Sequence, residues 1–174
     1  ASQGTPTIYE AVFPDAVLHL TELTNLKDSL ENSSSIISEN AKICGVLSID
    51  YGSDLSELRQ KVLDRLNAAG HSMTLPEFTS TIEPLEKLFA VVDHSRALAF
   101  MFGDGIVPSN VKAGYLARMV LRRTAFLLRD LDAQDALSEM VSHHIDTLSG
   151  TYPEIEANKA HILEMVALEQ ERFI

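Results

Sequence analysis

Apolar residues recur at the spacing of an α-helix along most of the 174-residue chain. In two stretches they stand three or four positions apart, as on one face of a helix. They are Ile36, Ile37, Ala41, Cys44 and Leu47 in the first stretch, and Leu55, Leu58, Val62, Leu63 and Leu66 in the second. No stretch shows sustained alternation bounded by hairpin turns, although residues 43–49 also fit a short strand. The pattern predicts an all-α fold, a bundle of about seven to eight helices without a substantial sheet.

Capping residues and helix breakers divide this pattern into elements. A short helix over residues 9–13 precedes one that begins at Pro14 and runs to residue 32, and residues 33–35 form a polar break. Ser53 and Asp54, followed by Glu57, resemble a capping box, and Gly70 is a typical helix end. Further helices are predicted to begin at Thr74, at Pro84 (this one reaching Phe102), near Asn110, at Asp132 and at Pro153.

Composition places the chain among folded proteins. Hydrophobic residues make up 45% of it and charged residues 22%, enough to bury a core. No apolar run approaches the roughly 20 residues of a membrane-spanning helix, and no signal peptide begins the sequence. The single cysteine, Cys44, excludes an internal disulfide and a cysteine-based zinc site, and its apolar neighbours predict a buried, unreactive thiol. We therefore expect a cytoplasmic location. The missing initiator methionine and the uncapped last helix indicate a piece of a longer protein.

Charge is distributed unevenly. The formal net charge of −11 argues against nucleic-acid binding by the chain as a whole, because such proteins usually carry a basic surface. No acidic residue, however, lies between Asp104 and Asp130. Five of the 14 basic residues fall there: Lys112, Arg118, Arg122, Arg123 and Arg129. The sequence thus has one basic segment in an otherwise acidic chain.

The basic segment divides into two faces if residues 110–129 form a helix with about 100° per residue. Counted from Lys112, one side spans about 40–180° and is predicted to face the core. It holds Ala113, Leu116, Ala117, Val120, Leu121, Thr124, Leu127 and Leu128. The other side holds the five basic residues, with Tyr115, Met119 and Phe126 among them. That side is either a solvated surface or an anion-binding one. Its single sign and its arginines favour the second, whereas packing against another helix explains the aromatic residues equally well.

The sequence Pro108-Ser109-Asn110 stands at the predicted start of this helix. Ser109 or Asn110 is a suitable N-cap, because its side chain can accept a hydrogen bond from an N–H group of the first turn. The N-terminus of a helix also attracts anions such as phosphate. From the residues alone, Asn110 is therefore either a cap only or part of an anion-binding site.

Residues 93–123 read DHSRALAFMFGDGIVPSNVKAGYLARMVLRR, and this segment resembles the alanyl-tRNA synthetase family. The shared pattern is Asp-His-x-Arg, an Asp-Gly turn, Pro-Ser-Asn, Gly-Tyr, and an arginine-rich helix ending in paired arginines. The residues that match it in order and spacing are Asp93, His94, Arg96, Asp104, Gly105, Pro108, Ser109, Asn110, Gly114, Tyr115, Arg118, Arg122 and Arg123. Residues 2–7 and Tyr9 are similar to the stretch after class II motif 3 in archaeal-type members, and residues 82–84 resemble those members more loosely.

The resemblance implies a role for particular residues. The family attaches alanine to its tRNA with ATP and identifies that tRNA chiefly by a G·U wobble pair in the acceptor stem. The asparagine of its Pro-Ser-Asn motif contacts this pair, so Asn110 inherits that role. Lys112, Arg118, Arg122 and Arg123 would then hold the RNA backbone, which sets the register without reading sequence. The implied partners are the acceptor stem of an alanine tRNA and the other domains of the parent synthetase, not DNA or a membrane.

The same resemblance implies that part of the enzyme lies elsewhere. Residues 1–32 correspond to the end of the aminoacylation region and the leading helices, and residues 33–174 to the helical tRNA-recognition domain. The aspartate that reads the G·U pair together with the asparagine belongs to a motif that does not occur in the chain. ATP with magnesium, and zinc in an editing domain, are implied for the full-length enzyme, whereas no cofactor is expected in this piece. The piece alone is predicted to be inactive.

Other kinds of site receive less support. His143 and His144 are adjacent, so on a helix they point about 100° apart and do not readily share one metal ion with each other or with His161. Asp93 and His94 lack a nucleophile for acid–base catalysis, and we expect His94 and Arg96 to make structural hydrogen bonds instead. The alternative function is a helical protein-interaction module whose arginine face binds an acidic partner. A helix-turn-helix DNA-binding motif is weak, because no second recognition helix follows a short turn.

Overall fold

A computed structural model of the chain describes residues 4–46 and 54–173. These residues form ten α-helices and one 3₁₀ turn, with no strand among them, which confirms the all-α prediction and exceeds the predicted number of helices. The helices are α1 (Ile8–Val12), α2 (Pro14–Leu23), α3 (Lys27–Asn32), α4 (Ser34–Val46), α5 (Leu55–Ala68), α6 (Leu75–Gly103), α7 (Lys112–Asp130), α8 (Leu137–Leu148), α9 (Pro153–Ala157) and α10 (Lys159–Glu171), with the 3₁₀ turn at Gln134–Ala136. The side chain of Cys44, residues 47–49 and Ser53, for which the sequence made predictions, lie outside the described part.

The N-terminal helices are shorter than predicted. Pro14 is the first residue of α2, as expected, but this helix ends at Leu23 instead of continuing to residue 32. Asn25 adopts a left-handed conformation with φ of 56°, which asparagine tolerates better than most residues and which ends the helix. The predicted polar break at residues 33–35 is present but is limited to Ser33, because α3 ends at Asn32 and α4 begins at Ser34.

Asp54, one of the two predicted capping residues, is the N-cap of α5, but the predicted capping box does not form. The Asp54 carboxylate accepts a hydrogen bond from the N–H group of Ser56 at 3.0 Å, which satisfies one free donor of the first turn. Glu57 pairs with Lys61 at 2.8 Å and does not complete a capping box. Gly70 lies just beyond the helix with φ of 104°, a conformation that glycine adopts without strain.

Helix α6 is the longest element and corrects the prediction of two helices. Thr74 and Glu77 form a capping box at its start, and the helix continues through Pro84 to Gly103. Proline removes one hydrogen bond from a helix and crowds the preceding turn. The flanking Ile82 and Leu85 are both buried, so tertiary packing outweighs the local preference at Pro84.

The core surrounds α6, against which α1, α2, α5, α7, α8, α9 and α10 all pack. Leu98 of α6, Leu121 of α7 and Ile145 of α8 are inaccessible to solvent. Helix α7 also contacts α8, α10 and the 3₁₀ turn, so one side of it is covered by neighbouring elements while the other faces outward. This arrangement determines which residues of the basic segment are accessible.

Candidate nucleic-acid interface

The Asp104-Gly105 turn ends α6 and redirects the chain toward α7. Gly105 has φ of 85°, and its N–H group donates to the carbonyl of Phe102 at 3.1 Å. The next N–H group, of Ile106, donates to the carbonyl of Met101 at 3.1 Å. These two bonds define a Schellman motif, in which glycine occupies the left-handed position after the helix. The Asp-Gly pair therefore fixes the direction of the loop that carries Pro108, Ser109 and Asn110.

The structure contradicts the prediction that Ser109 or Asn110 caps α7. The helix begins at Lys112, and its N-cap is Val111, whose side chain cannot accept a hydrogen bond. The Ser109 hydroxyl donates to the carbonyl of Val111 at 3.1 Å, and the N–H group of Ser109 donates to the carbonyl of Gly114 at 3.1 Å. These bonds hold the loop against the first turn of α7, and they leave the side chain of Asn110 for another contact.

Asn110 is bound to Arg118, and Arg118 is bound to Glu169 of α10. The Nη1 group of Arg118 donates to Oδ1 of Asn110, and its Nε group donates to Oε1 of Glu169. The Nη2 group of Arg118 lies 3.3 Å from Oε2 of Glu169. Arg172 supports the same carboxylate, with Nη1 at 3.2 Å from Oε2. One guanidinium thus joins the loop, α7 and α10.

The other basic residues of α7 are exposed. Lys112, Arg122 and Arg123 make no ion pair with any described residue. Arg122 lies over the rings of Phe126 and Phe173 at 5.5 and 5.4 Å, which orders the side chain without neutralising its charge. Arg129 lies 5.0 Å from the Phe126 ring centroid, next to an open groove of about 500 Å³ between α7 and α10. These cations form an outward-facing basic surface.

The buried face of α7 is narrower than predicted. Gly114, Ala117, Leu121, Thr124 and Leu128 are its buried residues. Leu116, predicted to face the core, is 52% exposed, and Ala113 is exposed as well. Both residues therefore lie outside the arc of α7 that its neighbours bury. Tyr115 is 51% exposed, so burial against a neighbouring helix does not explain its place among the cations.

The structural hydrogen bonds predicted for His94 and Arg96 are not found among the contacts of the described residues. Nδ1 of His94 is buried and has no hydrogen-bond partner among the described residues. The pKa of His94 is lowered from its ordinary value. Burial is the main cause and the positive charge of Arg123 adds to it, whereas the neighbouring Asp93 opposes them. Arg96 stacks over the rings of Phe13 and Phe100 at 5.2 and 5.3 Å. His94 and Arg96 therefore pack beside the core, whereas Asp93 is exposed.

Two of the histidines considered for metal binding lie on α8. Nε2 of His144 is 3.1 Å from the Ser95 hydroxyl, and the side chain is buried. The ring of His143 stacks on that of His19 at 5.2 Å. Burial is the main cause that lowers the pKa of His144 to about 4, and His143 lowers it further. Both rings are thus accommodated by packing with protein groups.

The sequence model for the family described as tRNA synthetases class II (A) matches residues 1–174. The chain belongs to this family. The alanine–tRNA ligases of Methanosarcina acetivorans and Methanosphaera stadtmanae are each 45% identical to it over 99% of its length. That of Methanococcus maripaludis is 38% identical over 100% of the chain. The chain spans 18% to 19% of the length of these curated relatives. They are archaeal alanine–tRNA ligases, which confirms the predicted resemblance.

Class II synthetases, the family to which the chain belongs, depend on ATP. In the part of the chain that the structure describes, no group of three or more His, Cys, Asp or Glu side chains is placed to hold a metal ion. No helix in that part is long and apolar enough to cross a bilayer.

Glu169 belongs to the candidate interface but was not identified from the sequence. Its partner Arg118 is 51 residues away, so no local motif joins the two. A signal was nevertheless present in α10, where Ile162, Val166 and Glu169 share the buried face at helical spacing. A carboxylate at an apolar position of a helix stripe indicates a buried ionic partner, because an unpaired charge is costly to bury.

Proposed function

We propose that the chain is the tRNA-binding part of an alanine–tRNA ligase, and that Asn110 and the basic surface of α7 contact the acceptor stem. The observation that carries this proposal is the orientation of the Asn110 carboxamide beside the exposed cations. A guanidinium only donates hydrogen bonds, so the Asn110 atom facing Arg118 is the carbonyl oxygen. The exposed NH₂ group of Asn110 then carries two donors for a ligand.

The chemistry of an RNA minor groove suits this arrangement. The groove is wide and shallow, and it displays base edges and 2′-hydroxyl groups that accept hydrogen bonds. The NH₂ group of Asn110 matches such acceptors. Lys112, Arg122 and Arg123 match phosphate oxygens, because a guanidinium or an ammonium donates to them with favourable charge. In this proposal the cations supply affinity and register, and Asn110 supplies discrimination of the G·U pair.

For the parent protein we propose the activity by which the relatives are named, the ATP-dependent attachment of alanine to its tRNA. In that proposal residues 1–32 continue the aminoacylation region and residues 33–174 form the recognition domain. The first helices pack onto the second part, since α1 and α2 both contact α6. The 174-residue chain is expected to bind tRNA without aminoacylating it.

The test is a gel-shift titration of the chain with two alanine tRNA transcripts that carry G·U or G·C at the recognised pair. Asn110→Ala should weaken binding of the G·U transcript about three- to tenfold, the worth of one or two hydrogen bonds, and leave the G·C transcript little changed. Asn32→Ala is the matched control, because Asn32 is an exposed residue of α3, which does not pack on α7. Equal losses on both transcripts would refute the reading role of Asn110, and absent binding would refute the function proposed for the chain.

A further inference from the structure

Glu169 is linked to Asn110 through Arg118, which bonds to both residues. The planar guanidinium of Arg118 has its Nε and Nη2 groups directed at Glu169 and its Nη1 group directed at Asn110. Two oxygens of one carboxylate thus face two nitrogens of one guanidinium, a fork geometry that fixes the plane of the arginine side chain. Because Nη1 is part of that plane, the position offered to the Asn110 carbonyl is fixed as well.

Glu169 is too buried to contact RNA directly. The Glu169 side chain is 6% exposed, and that of Arg118 is 20% exposed. A carboxylate enclosed in this way cannot meet a ligand in solution, and its negative charge would repel phosphate. It also neutralises Arg118, which makes Arg118 a weaker phosphate ligand than the unpaired Arg122 and Arg123.

The orientation of the carboxamide depends on this chain of contacts. A free asparagine side chain exposes its oxygen and its NH₂ group alternately, because rotation about its last bond is easy. With the oxygen of Asn110 held by Arg118, only the NH₂ group faces outward. A ligand group that accepts hydrogen bonds is then preferred over one that donates, and ordering of the side chain does not have to accompany binding.

We propose that Glu169 is a positioning residue for base-pair discrimination, acting through Arg118 to present the NH₂ group of Asn110 to the RNA. This inference rests on the proposed function of the chain and adds a residue 59 positions from Asn110 to it. It also gives Arg118 a different role. The sequence placed Arg118 among the backbone-binding residues, whereas in this proposal it holds Asn110. Loss of Glu169 should therefore reduce specificity more than affinity.

The experiment compares Glu169→Gln with Asp146→Asn in the 174-residue chain. Both changes convert an acid to its amide and break an ion pair between helices, since Asp146 of α8 binds Lys159 of α10 at 2.5 Å. Glu169→Gln should reduce the ratio of G·U to G·C affinity about three- to tenfold, as Asn110→Ala does. Asp146→Asn should leave the ratio unchanged. Glu169→Asp, which keeps the charge on a shorter side chain, should restore part of it, and thermal unfolding of each variant checks that the fold persists.

A second readout needs no RNA. In ¹H–¹⁵N spectra of the free chain, Glu169→Gln should shift the side-chain NH₂ resonances of Asn110, and Asp146→Asn should leave them in place. Unshifted resonances together with an unchanged affinity ratio would overturn the positioning role while leaving the proposed function intact. Failure of the unmodified chain to prefer the G·U transcript would instead overturn the proposed function, whatever the spectra show of Glu169.

Discussion

A Cβ atom on Gly114 would lie 2.1 Å from Oγ of Ser109 and 2.4 Å from the carbonyl oxygen of Val107. Both distances are far below van der Waals contact, so the loop before α7 lies directly on the backbone of its first turn. The hydrogen bond from the N–H group of Ser109 to the carbonyl of Gly114 follows from this close approach. The absence of a side chain at position 114 thus places Asn110 within reach of Arg118.

Gly114→Ala should therefore displace the loop and impair discrimination. Alanine normally favours a helix over glycine by about 1 kcal/mol, but here the added methyl group would cost about 1–3 kcal/mol by overpacking. The G·U preference should fall about as far as it does in Asn110→Ala, by roughly three- to tenfold. Urea unfolding measures the first effect and gel-shift titration the second.

Gly150→Ala is the matched control for this change. A Cβ atom at Gly150 would meet nothing within 4 Å, and the residue has no positive φ. Its substitution should leave both the free energy of unfolding and the affinity ratio near those of the unmodified chain. If Gly114→Ala behaved in the same way, the close packing of the loop on α7 would be wrong.

Two leucines of α7 test which side of the helix faces the core. Leu121 is inaccessible to solvent and Leu116 is 52% exposed, although the sequence assigned both to the core face. Leu121→Ala should lower the free energy of unfolding by about 2–5 kcal/mol, because it removes buried methyl groups and leaves a cavity. Leu116→Ala should change it by less than about 0.5 kcal/mol, as is usual at the surface. Equal losses in urea unfolding would support the face predicted from sequence.

Only part of the structure of α7 could be predicted from its sequence. Helical spacing identified the helix and its basic side, because both are local periodicities. It could not tell how wide an arc the neighbours cover, so Leu116 was assigned to the core. The helix start predicted at Pro84 was wrong for a similar reason. Packing of the residues on both sides of this proline outweighs its local tendency to break a helix. The contact of Arg118 with Glu169 depends on how α10 folds back over α7, which no motif of either helix encodes.

The buried imidazole of His144 should make stability depend on pH. Burial is the first cause of its low pKa, followed by the nearby charge of His143; a hydrogen bond with the Val92 backbone opposes them, and Arg96 adds to them. The folded-state pKa is about 4, below the ordinary 6.5, so the unfolded chain takes up the proton first as pH falls. Stability conferred by the neutral ring is present above pH 6.5 and is lost as pH falls toward 4. The loss amounts to about 3 kcal/mol.

Urea unfolding at pH 7 and pH 4.5 measures this dependence. His144→Gln keeps a polar group opposite Ser95 but cannot take up the proton, so its stability should fall less between the two values than that of the unmodified chain. His161→Gln is the control, because His161 is exposed and should leave the dependence unchanged. An identical pH dependence in both variants would show that His144 does not stay neutral in the folded chain.

The salt dependence of tRNA binding tests whether the basic surface of α7 holds phosphates. Each cation that neutralises a phosphate releases a counterion, so the plot of log affinity against log salt steepens with the number of such contacts. Arg123→Gln should weaken binding of the G·U and G·C transcripts equally and reduce that slope by about one. Arg65→Gln removes the same charge from an exposed position on α5, which does not pack on α7, and should leave the slope unchanged. Equal slopes for the two variants would mean that net charge, and not the surface of α7, attracts the RNA.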